Sequence, residues 1–193
     1  MSCFKVNVIG APSSGKTTLC TGIEYELKSM HVNVDSSREY ARQYINVYGW
    51  PETVGEQFIL FENQDRRDIA IAEKADILLS DSPGPVHYVF GVQLLKSKLK
   101  DYTKIDYKFL EELFIKCLQK TMWFDLILVL NPLDFVTKDG TRKEEMADIY
   151  RLHDALIGFL NLHQIPYVVL DGTLKEKVEK GLKVIMEKSQ LKK

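Results

Sequence analysis

Short apolar runs alternate with longer segments of helical periodicity along the whole chain. Five runs have the length and composition of β-strands, at residues 4–9, 32–34, 77–79, 126–130 and 167–170. Seven segments carry apolar residues at helical spacing, at about residues 16–30, 38–47, 54–74, 86–99, 107–122, 144–162 and 174–187. Apolar strands that alternate with helices are typical of a parallel sheet covered on both faces. The pattern therefore predicts an α/β fold, a three-layer α/β/α sandwich with a five-stranded parallel sheet.

Length and composition are those of an ordinary globular protein. The 193 residues are 45% hydrophobic and 27% charged, which excludes intrinsic disorder. We expect a single domain over residues 1–188 and a flexible tail over residues 189–193. No apolar run approaches the ~18 residues of a membrane span, and the first strand is too short for a signal peptide. The sequence thus predicts a cytoplasmic protein with no membrane partner.

Net charge and cysteine content exclude few further classes of function. The 26 basic and 27 acidic side chains leave a net charge of −1, which supplies no general attraction for nucleic acid. A DNA partner is therefore not implied, although a local basic groove would not show in the total. Cys3, Cys20 and Cys117 share no metal-ligand spacing, so we expect them to have apolar roles in a reducing compartment.

A phosphate-binding loop is the strongest chemical signal. Residues 10–17, GAPSSGKT, match G-x-x-x-x-G-K-[ST] between the first predicted strand and helix, a context that disfavours a plain glycine turn. Such a loop wraps a phosphate with its backbone amides, and the positive end of the helix faces the same anion. We expect Lys16 to reach the β- and γ-phosphates and Thr17 to bind Mg²⁺. The predicted nucleotide-binding residues are Gly10, Ser13, Ser14, Gly15, Lys16, Thr17 and Thr18.

Asp81 directly follows an apolar strand, at the edge of the sheet where ligands bind in open α/β folds. Its carboxylate suits the loop lysine as a partner, because it can hold Mg²⁺ through water or accept the proton of an acceptor hydroxyl. The alternative is an aspartate that caps the turn over residues 82–85. We interpret Asp81 as both a catalytic and a metal-binding residue.

The segment DSSREYAR, residues 35–42, follows the second predicted strand and opens a helix, with Ser36 or Ser37 as its cap. The spacing of Arg38 and Arg42 places both guanidinium groups on one helix face, where they suit a phosphate or carboxylate. Glu39 suits sugar hydroxyls, since a carboxylate accepts two hydrogen bonds. Alternatively, salt bridges to neighbouring acids occupy the arginines. The predicted acceptor-binding residues are Asp35, Arg38, Glu39 and Arg42.

Basic residues after the fourth strand predict a mobile segment over the phosphates. Arg142 lies in KDGTRK, residues 138–143, and Arg151 lies on the next predicted helix. A segment that covers the phosphates excludes water, and its cations stabilise the transition state of phosphoryl transfer. Arg142 and Arg151 are therefore candidate catalytic residues. A solvated turn and an exposed helix face are the alternatives. Asp171 and Gly172 end the last strand, where either a nucleotide base packs, making both cofactor-binding, or a plain turn forms.

The remaining polar residues give weaker signals. Most of the polar side chains on the long third helix are predicted to form its solvated face, and these are Gln57, Glu62, Gln64, Asp65, Arg66 and Arg67. One of the aromatics near the presumed acceptor side, such as Trp50 or Tyr88, is a candidate to stack on a base, although core packing is the simpler role for each. The four histidines have no metal-ligand spacing, and we assign them no role.

Taken in order along the chain, several segments resemble the NadR-like P-loop domains, which include the nicotinamide riboside kinase module of bacterial NAD regulators. They are the phosphate loop, SREYAR at residues 37–42, the glutamine-bearing helix 57–67, the strand ending at Asp81, DGTR at residues 139–142 and IPY at residues 165–167. The resemblance implies a P-loop kinase fold, an ATP site over residues 10–18, an acceptor cleft bordered by Arg38, Glu39, Arg42 and Asp81, and a lid around Arg142. Pro83 stands where the riboside kinases carry a second acid.

These observations predict an ATP- and Mg²⁺-dependent phosphotransferase that acts on a hydroxyl of a nucleoside-like or nucleotide-like small molecule, with a modified base in DNA as one variant. A GTP-binding switch or regulatory NTPase is the alternative. It is suggested by DSPG at residues 81–84 and NPLD at residues 131–134, although Pro132 replaces the lysine that packs under guanine. An ATPase or interaction module is a third reading. The sequence predicts no oligomeric state.

Overall fold

The computed structural model describes residues 2–81, 84–97, 103–133 and 146–190. Five strands and seven helices alternate in this part of the chain. In chain order they are β1 (Phe4–Gly10), α1 (Lys16–Ser29), β2 (Val34–Ser37), α2 (Tyr40–Tyr48), α3 (Val54–Ala72), β3 (Ile77–Asp81), α4 (Pro85–Ser97), α5 (Lys104–Trp123), β4 (Leu126–Leu130), α6 (Met146–Leu162), β5 (Val168–Leu170) and α7 (Leu174–Ser189).

All five strands form one parallel sheet in the order β2-β3-β1-β4-β5. The central strand β1 pairs Val8 with Asp81 of β3 and Gly10 with Leu130 of β4. The carboxyl end of β1 therefore lies in the middle of the ligand-binding edge, between the ends of its two neighbours. The predicted five-stranded parallel sheet is confirmed.

Successive apolar side chains along each strand pack into a core on both faces of the sheet. On β1, Val6 and Val8 pack with Ile23 of α1 and Ile185 of α7. Ile9, the next residue, packs on the opposite face with apolar residues of α5 and α6. Successive strand side chains point to opposite faces, so a strand that is apolar throughout must be covered on both. This arrangement confirms the three-layer sandwich.

Two predicted boundaries are wrong. Strand β2 covers Val34–Ser37 instead of residues 32–34, because Ser37 pairs with Ser80 of β3 and its side chain is buried. Asp35 thus lies within the strand, and α2 begins only at Tyr40. At the other end of the chain, Ser189 completes α7 and Gln190 is its C-cap in a left-handed conformation, so neither belongs to the predicted tail.

Two features are absent from the described residues. No helix among them has the length and apolar character needed to cross a membrane. They contain no group of three or more His, Cys, Asp or Glu side chains that could hold a metal ion. Cys20 and Cys117 are buried, and burial raises the pKa of both thiols, which confirms their expected apolar roles.

A buried carboxylate lies beneath the carboxyl end of the sheet. Asp68 of α3 is fully buried, and its Oδ1 accepts hydrogen bonds from Ser80 Oγ at 2.8 Å and Gln64 Nε2 at 3.1 Å. The Lys120 ammonium of α5 lies 3.4 Å from Asp68 Oδ2 and 2.7 Å from Asp65 Oδ1, so two carboxylates share this cation. Burial raises the pKa of Asp68, whereas the Lys120 charge and these hydrogen bonds act in the opposite direction.

Gln64 extends this polar network to the acceptor segment. Its Nε2 also donates to Ser37 Oγ at 2.8 Å, and its Oε1 accepts from the backbone N–H of Tyr40 at 2.7 Å. The first turn of α2 is therefore tied to α3, in place of the serine cap predicted from sequence. Gln64 and Gln57 are 2% and 4% exposed, so these two are exceptions to the predicted solvated face, whereas the other four polar residues named for this helix are not buried.

We expect Lys120→Met to destabilise the fold by about 3–5 kcal/mol at pH 7, because it leaves the buried Asp68 charge without its cation. The loss should shrink on acidification. A carboxyl whose pKa is raised in the folded state binds its proton at higher pH than in the unfolded state, so stability increases as the pH falls through that pKa. Urea unfolding as a function of pH measures both effects.

Lys116→Met is the matched control. Lys116 lies one turn earlier on α5 and pairs with Glu62 at 2.8 Å, but both side chains are partly exposed, at 35% and 28%. A pair of this kind contributes about 0–1 kcal/mol. Equal losses in the two variants would contradict the assignment of Lys120 as the essential counter-ion.

Candidate functional site

A large cavity opens at the carboxyl end of the central strands. Its volume is about 1720 Å³, and its wall includes the phosphate loop, the exposed helix α2, the first turns of α4 and one face of α6. This exceeds the roughly 300–1,000 Å³ of a typical small-molecule pocket. The cavity has room for more than one ligand group beside the loop.

The backbone of the phosphate loop is built for an anion. Gly15 is the N-cap of α1 in a left-handed conformation, at φ 87°, and no side chain caps the helix. The first turn of α1 contains no acidic residue. Its amide groups and the positive end of the helix dipole are thus left to interact with a ligand. This geometry fits the predicted binding of phosphate.

Lys16 brings the positive charge. Its side chain is 8% exposed, and Nζ donates to the carbonyl oxygens of Gly10 and Ala11, each at 3.1 Å. The ammonium group is therefore held within the loop, on the wall of the cavity. Ser13, Gly15, Thr17 and Thr18 line the same wall, together with Gly10.

Thr17 and Asp81 meet across the gap between α1 and β3. The Thr17 hydroxyl donates to Asp81 Oδ2 at 2.5 Å. Asp81 is 2% exposed, and its Oδ1 is buried with no hydrogen-bond partner among the described residues. A hydroxyl and a carboxylate are the hard oxygen ligands that Mg²⁺ prefers, and an unpartnered buried carboxylate oxygen suits a cation. The pair fits the predicted metal site.

Three of the predicted nucleotide-binding residues lie off the cavity wall. Ser14 is buried behind the loop, so close to Gly10 that a Cβ there would lie 2.6 Å from the Ser14 hydroxyl. Asp171 and Gly172 are exposed and do not line the cavity. Asp171 accepts a hydrogen bond from Asn131 at 2.6 Å, and Gly172 adopts φ 100° against the capping-box Glu176. The structure supports the plain turn at both positions.

The acceptor segment is divided between cavity and solvent. Glu39 and Arg42 line the cavity, whereas Asp35 and Arg38 are exposed and outside its lining. Because α2 begins at Tyr40, Arg38 precedes the helix and does not share a helix face with Arg42. The later end of β2 causes this error. Only two of the four predicted acceptor residues are therefore placed to contact a ligand.

The two candidate lid arginines have different outcomes. Arg151 of α6 lines the cavity, with an exposed side chain whose Nη1 lies 3.2 Å from Asp148 Oδ1. Arg142 lies outside the described residues, as does the whole of KDGTRK. The predicted role of Arg142 stays a prediction.

Sequence reasoning missed two buried polar residues of the wall. His87 is 5% exposed, Gln57 is 4% exposed, and both line the cavity. Burial lowers the pKa of His87 to about 4. A signal was present, since α4 starts only four residues after Asp81, which brings its first turn to the ligand-binding edge. Gln57 also shares the helical spacing of the buried Leu60 and Phe61.

Substitution of Gly10 in the loop can be compared with substitution of a glycine on a helix. We expect Gly10→Ala to weaken nucleotide binding and to lower the free energy of unfolding, because the added Cβ would lie 2.6 Å from Ser14 Oγ and 2.8 Å from the Leu130 carbonyl oxygen. Gly55→Ala in α3 is the control: Gly55 does not line the cavity, only the Thr53 hydroxyl among the described side chains lies within 4 Å of the added Cβ, at 3.8 Å, and alanine in a helix should stabilise by about 0.5–1 kcal/mol. Urea unfolding and nucleotide titration test both. Unimpaired binding by Gly10→Ala would contradict the close packing of the loop.

The chain is similar to a protein family and to solved structures of known proteins. Residues 5–177 match a family model described as an AAA domain. A solved structure of a NadR protein in complex with NR is 25% identical, with a TM-score of 0.76, over 99% of this chain and 53% of that chain. A NadR structure in complex with NAD and AMP-PNP is 21% identical, with a TM-score of 0.70, over 100% of this chain and 51% of that chain, which shows likeness of fold.

No curated protein is a significant match to the chain. The chain spans about half the length of the NadR chains it resembles. The family match covers most of the sequence, and the fold agrees with the P-loop kinase arrangement expected from the NadR resemblance. We conclude that this protein belongs to the AAA domain family and contains a NadR-like P-loop kinase domain.

Proposed function

We propose that this protein transfers the γ-phosphate of ATP, in the presence of Mg²⁺, to a hydroxyl of a nucleoside-like or nucleotide-like acceptor. The observation that carries the proposal is the meeting of Thr17 and Asp81 at 2.5 Å beside the phosphate loop. A hydroxyl and a carboxylate at this point are the groups that hold Mg²⁺ in P-loop proteins that transfer or hydrolyse the γ-phosphate, whereas phosphate binding alone would not need them. The remaining cavity wall, with Glu39, Arg42 and Trp50, offers a place for the acceptor.

The loop holds the transferable phosphate. Backbone amides of the α1 N-terminus donate to the phosphate oxygens, and Lys16 Nζ exchanges its contacts with the Gly10 and Ala11 carbonyls for the β- and γ-phosphates. Mg²⁺ held beside the loop would supply neutralisation of the negative charge on the same phosphates. Thr17 Oγ1 and Asp81 are the protein groups that would hold it.

Asp81 lies directly behind the cavity wall, in contact with Thr17, and does not itself line the cavity. Its buried Oδ1 has no hydrogen-bond donor among the described residues, so this oxygen is suited to orient the hydroxyl and to accept its proton as the new P–O bond forms. The low exposure of Asp81 keeps bulk water from the carboxylate. Transfer to the acceptor is then favoured over hydrolysis.

Glu39 and Arg42 define the acceptor end of the cavity. A carboxylate accepts hydrogen bonds from sugar hydroxyls, and a guanidinium suits a phosphate or carboxylate. Trp50 adds an aromatic face on which a planar ring can stack. The bound NR of the NadR relative supports a riboside acceptor. We keep a free nucleoside, its monophosphate and a short modified oligonucleotide as probes of acceptor size.

Lys16→Met tests the proposal directly. The substitution keeps the buried aliphatic stem and removes the charge, so we expect a folded protein whose phosphotransfer falls by at least a hundred-fold, on the order expected for transition-state electrostatics. Formation of ADP and of phosphorylated acceptor over a nucleoside panel is the measurement. Lys28→Met, on the exposed side of the same helix, is the control. GTP hydrolysis without any phosphorylated acceptor would favour a regulatory NTPase instead.

Asp81→Asn separates the catalytic and structural roles of Asp81. An amide keeps an oxygen for the Thr17 hydroxyl but neither accepts a proton nor binds Mg²⁺ as well, so kcat should fall by about 10² or more with little change in ATP affinity. Steady-state kinetics, ATP titration and thermal unfolding form the test. If the variant loses folding stability while kcat per folded molecule is unchanged, Asp81 caps the turn and has no catalytic role.

A further inference from the structure

His87 and Gln57 form a buried polar pair that the phosphate-transfer machinery does not use. His87 is in the first turn of α4 and Gln57 is in the first turn of α3, and His87 Nδ1 lies 3.3 Å from Gln57 Oε1. The imidazole also packs edge-on against Phe61, with ring centroids 6.2 Å apart. Two elements and one aromatic ring therefore fix the orientation of the imidazole.

The pairing assigns a role to each ring nitrogen. A carboxamide oxygen can only accept, so the tautomer that makes this hydrogen bond carries its proton on Nδ1 and its lone pair on Nε2. Burial lowers the pKa of His87 to about 4, which keeps the ring neutral near pH 7. His87 lines the cavity, and Nε2 is the nitrogen left for a ligand. It presents a neutral hydrogen-bond acceptor in a wall where Glu39 and Arg42 supply charges.

We propose that His87 is a specificity-determining residue that selects acceptors whose planar ring carries an N–H hydrogen-bond donor, such as the imide or amide N–H of a nucleoside base. This inference rests on the proposed kinase function and names the chemistry that recognises its acceptor. A donor from the ligand satisfies Nε2 on binding. A ligand that fills the same space without a donor leaves a buried acceptor unpaired.

Gln57 acts as the positioning residue in this arrangement. Without its carboxamide oxygen, the imidazole loses the contact that fixes the tautomer, and Nε2 can carry the proton instead. Its recognition of an N–H donor should then weaken, although the ring stays in place against Phe61. Substitution of His87 and substitution of Gln57 should therefore each change the preference for an N–H donor.

Matched probes measure this selection. We compare uridine with 3-methyluridine, which lacks the imide N–H, and nicotinamide riboside with nicotinic acid riboside, which replaces both amide N–H donors by a carboxylate, by calorimetry and by acceptor kinetics with ATP. The wild-type protein should prefer the donor-bearing member by roughly 10- to 100-fold in at least one pair. His87→Phe, which keeps a planar ring, should reduce that preference to within about three-fold and leave the KM for ATP unchanged.

Three further variants complete the experiment. His87→Gln places an amide oxygen near the position of Nε2 and should restore part of the preference, and Gln57→Leu should lower it without abolishing turnover. His153→Phe is the control, since His153 is on α6 and does not line the cavity. Circular dichroism and thermal unfolding confirm that each variant is folded.

The outcomes of the two proposals are distinguishable. Phosphorylated acceptor with a preference that His87→Phe leaves intact overturns the role of His87 and leaves the kinase function standing. A preference that disappears in His87→Phe while no probe is phosphorylated supports ring recognition and overturns the kinase. Absence of binding by every probe overturns both.

Discussion

The buried carboxylate of Asp68 is the constraint on which the functional end of this protein depends. A charge in the interior is tolerated only when hydrogen bonds and a counter-ion surround it, and loss of one partner costs far more than an exposed ion pair contributes. Its partners come from α5 through Lys120, from β3 through Ser80 and from its own helix through Gln64. Ser80 immediately precedes Asp81, and Gln64 holds the amide that follows Glu39. One buried carboxylate thus links the strand that ends at Asp81 to the start of α2.

Helix α2 depends on this network more than any other element. None of its residues is buried, so apolar packing contributes little to its position. Polar contacts with α3 hold it instead: the Gln64 bond, the Tyr44 hydroxyl donating to Glu56 at 2.9 Å, and Arg67 donating to Gln43 at 2.7 Å. A segment with few buried contacts opens at low free energy. The α2 wall of the cavity is therefore suited to adjust to a ligand, because few buried contacts hold it in place.

The phosphate loop and the acceptor wall differ in how well their residues could be predicted from the sequence. The phosphate loop is contiguous and works through its backbone and the adjoining helix, so its residues can be recognised from local spacing. The acceptor wall is assembled by tertiary contacts. Ser37 resembles a helix cap in sequence, but β3 pairing and Gln64 place it in a strand, and this shifts Arg38 away from the cavity. Gln64 and Asp68 are polar residues in an apolar helical stripe, a pattern that periodicity alone cannot distinguish from an exposed turn.

The proposed catalytic and ring-recognition residues lie on successive elements, Asp81 at the end of β3 and His87 in the first turn of α4. Gly84 precedes α4 and adopts φ 81°, and a Cβ there would lie 2.9 Å from the Thr121 hydroxyl of α5. Only glycine fits this close approach without strain, so α4 begins close against α5. In the proposed kinase, His87 would hold the acceptor ring and Asp81 would orient the acceptor hydroxyl, so that a ligand aligned by one group is also aligned for the other.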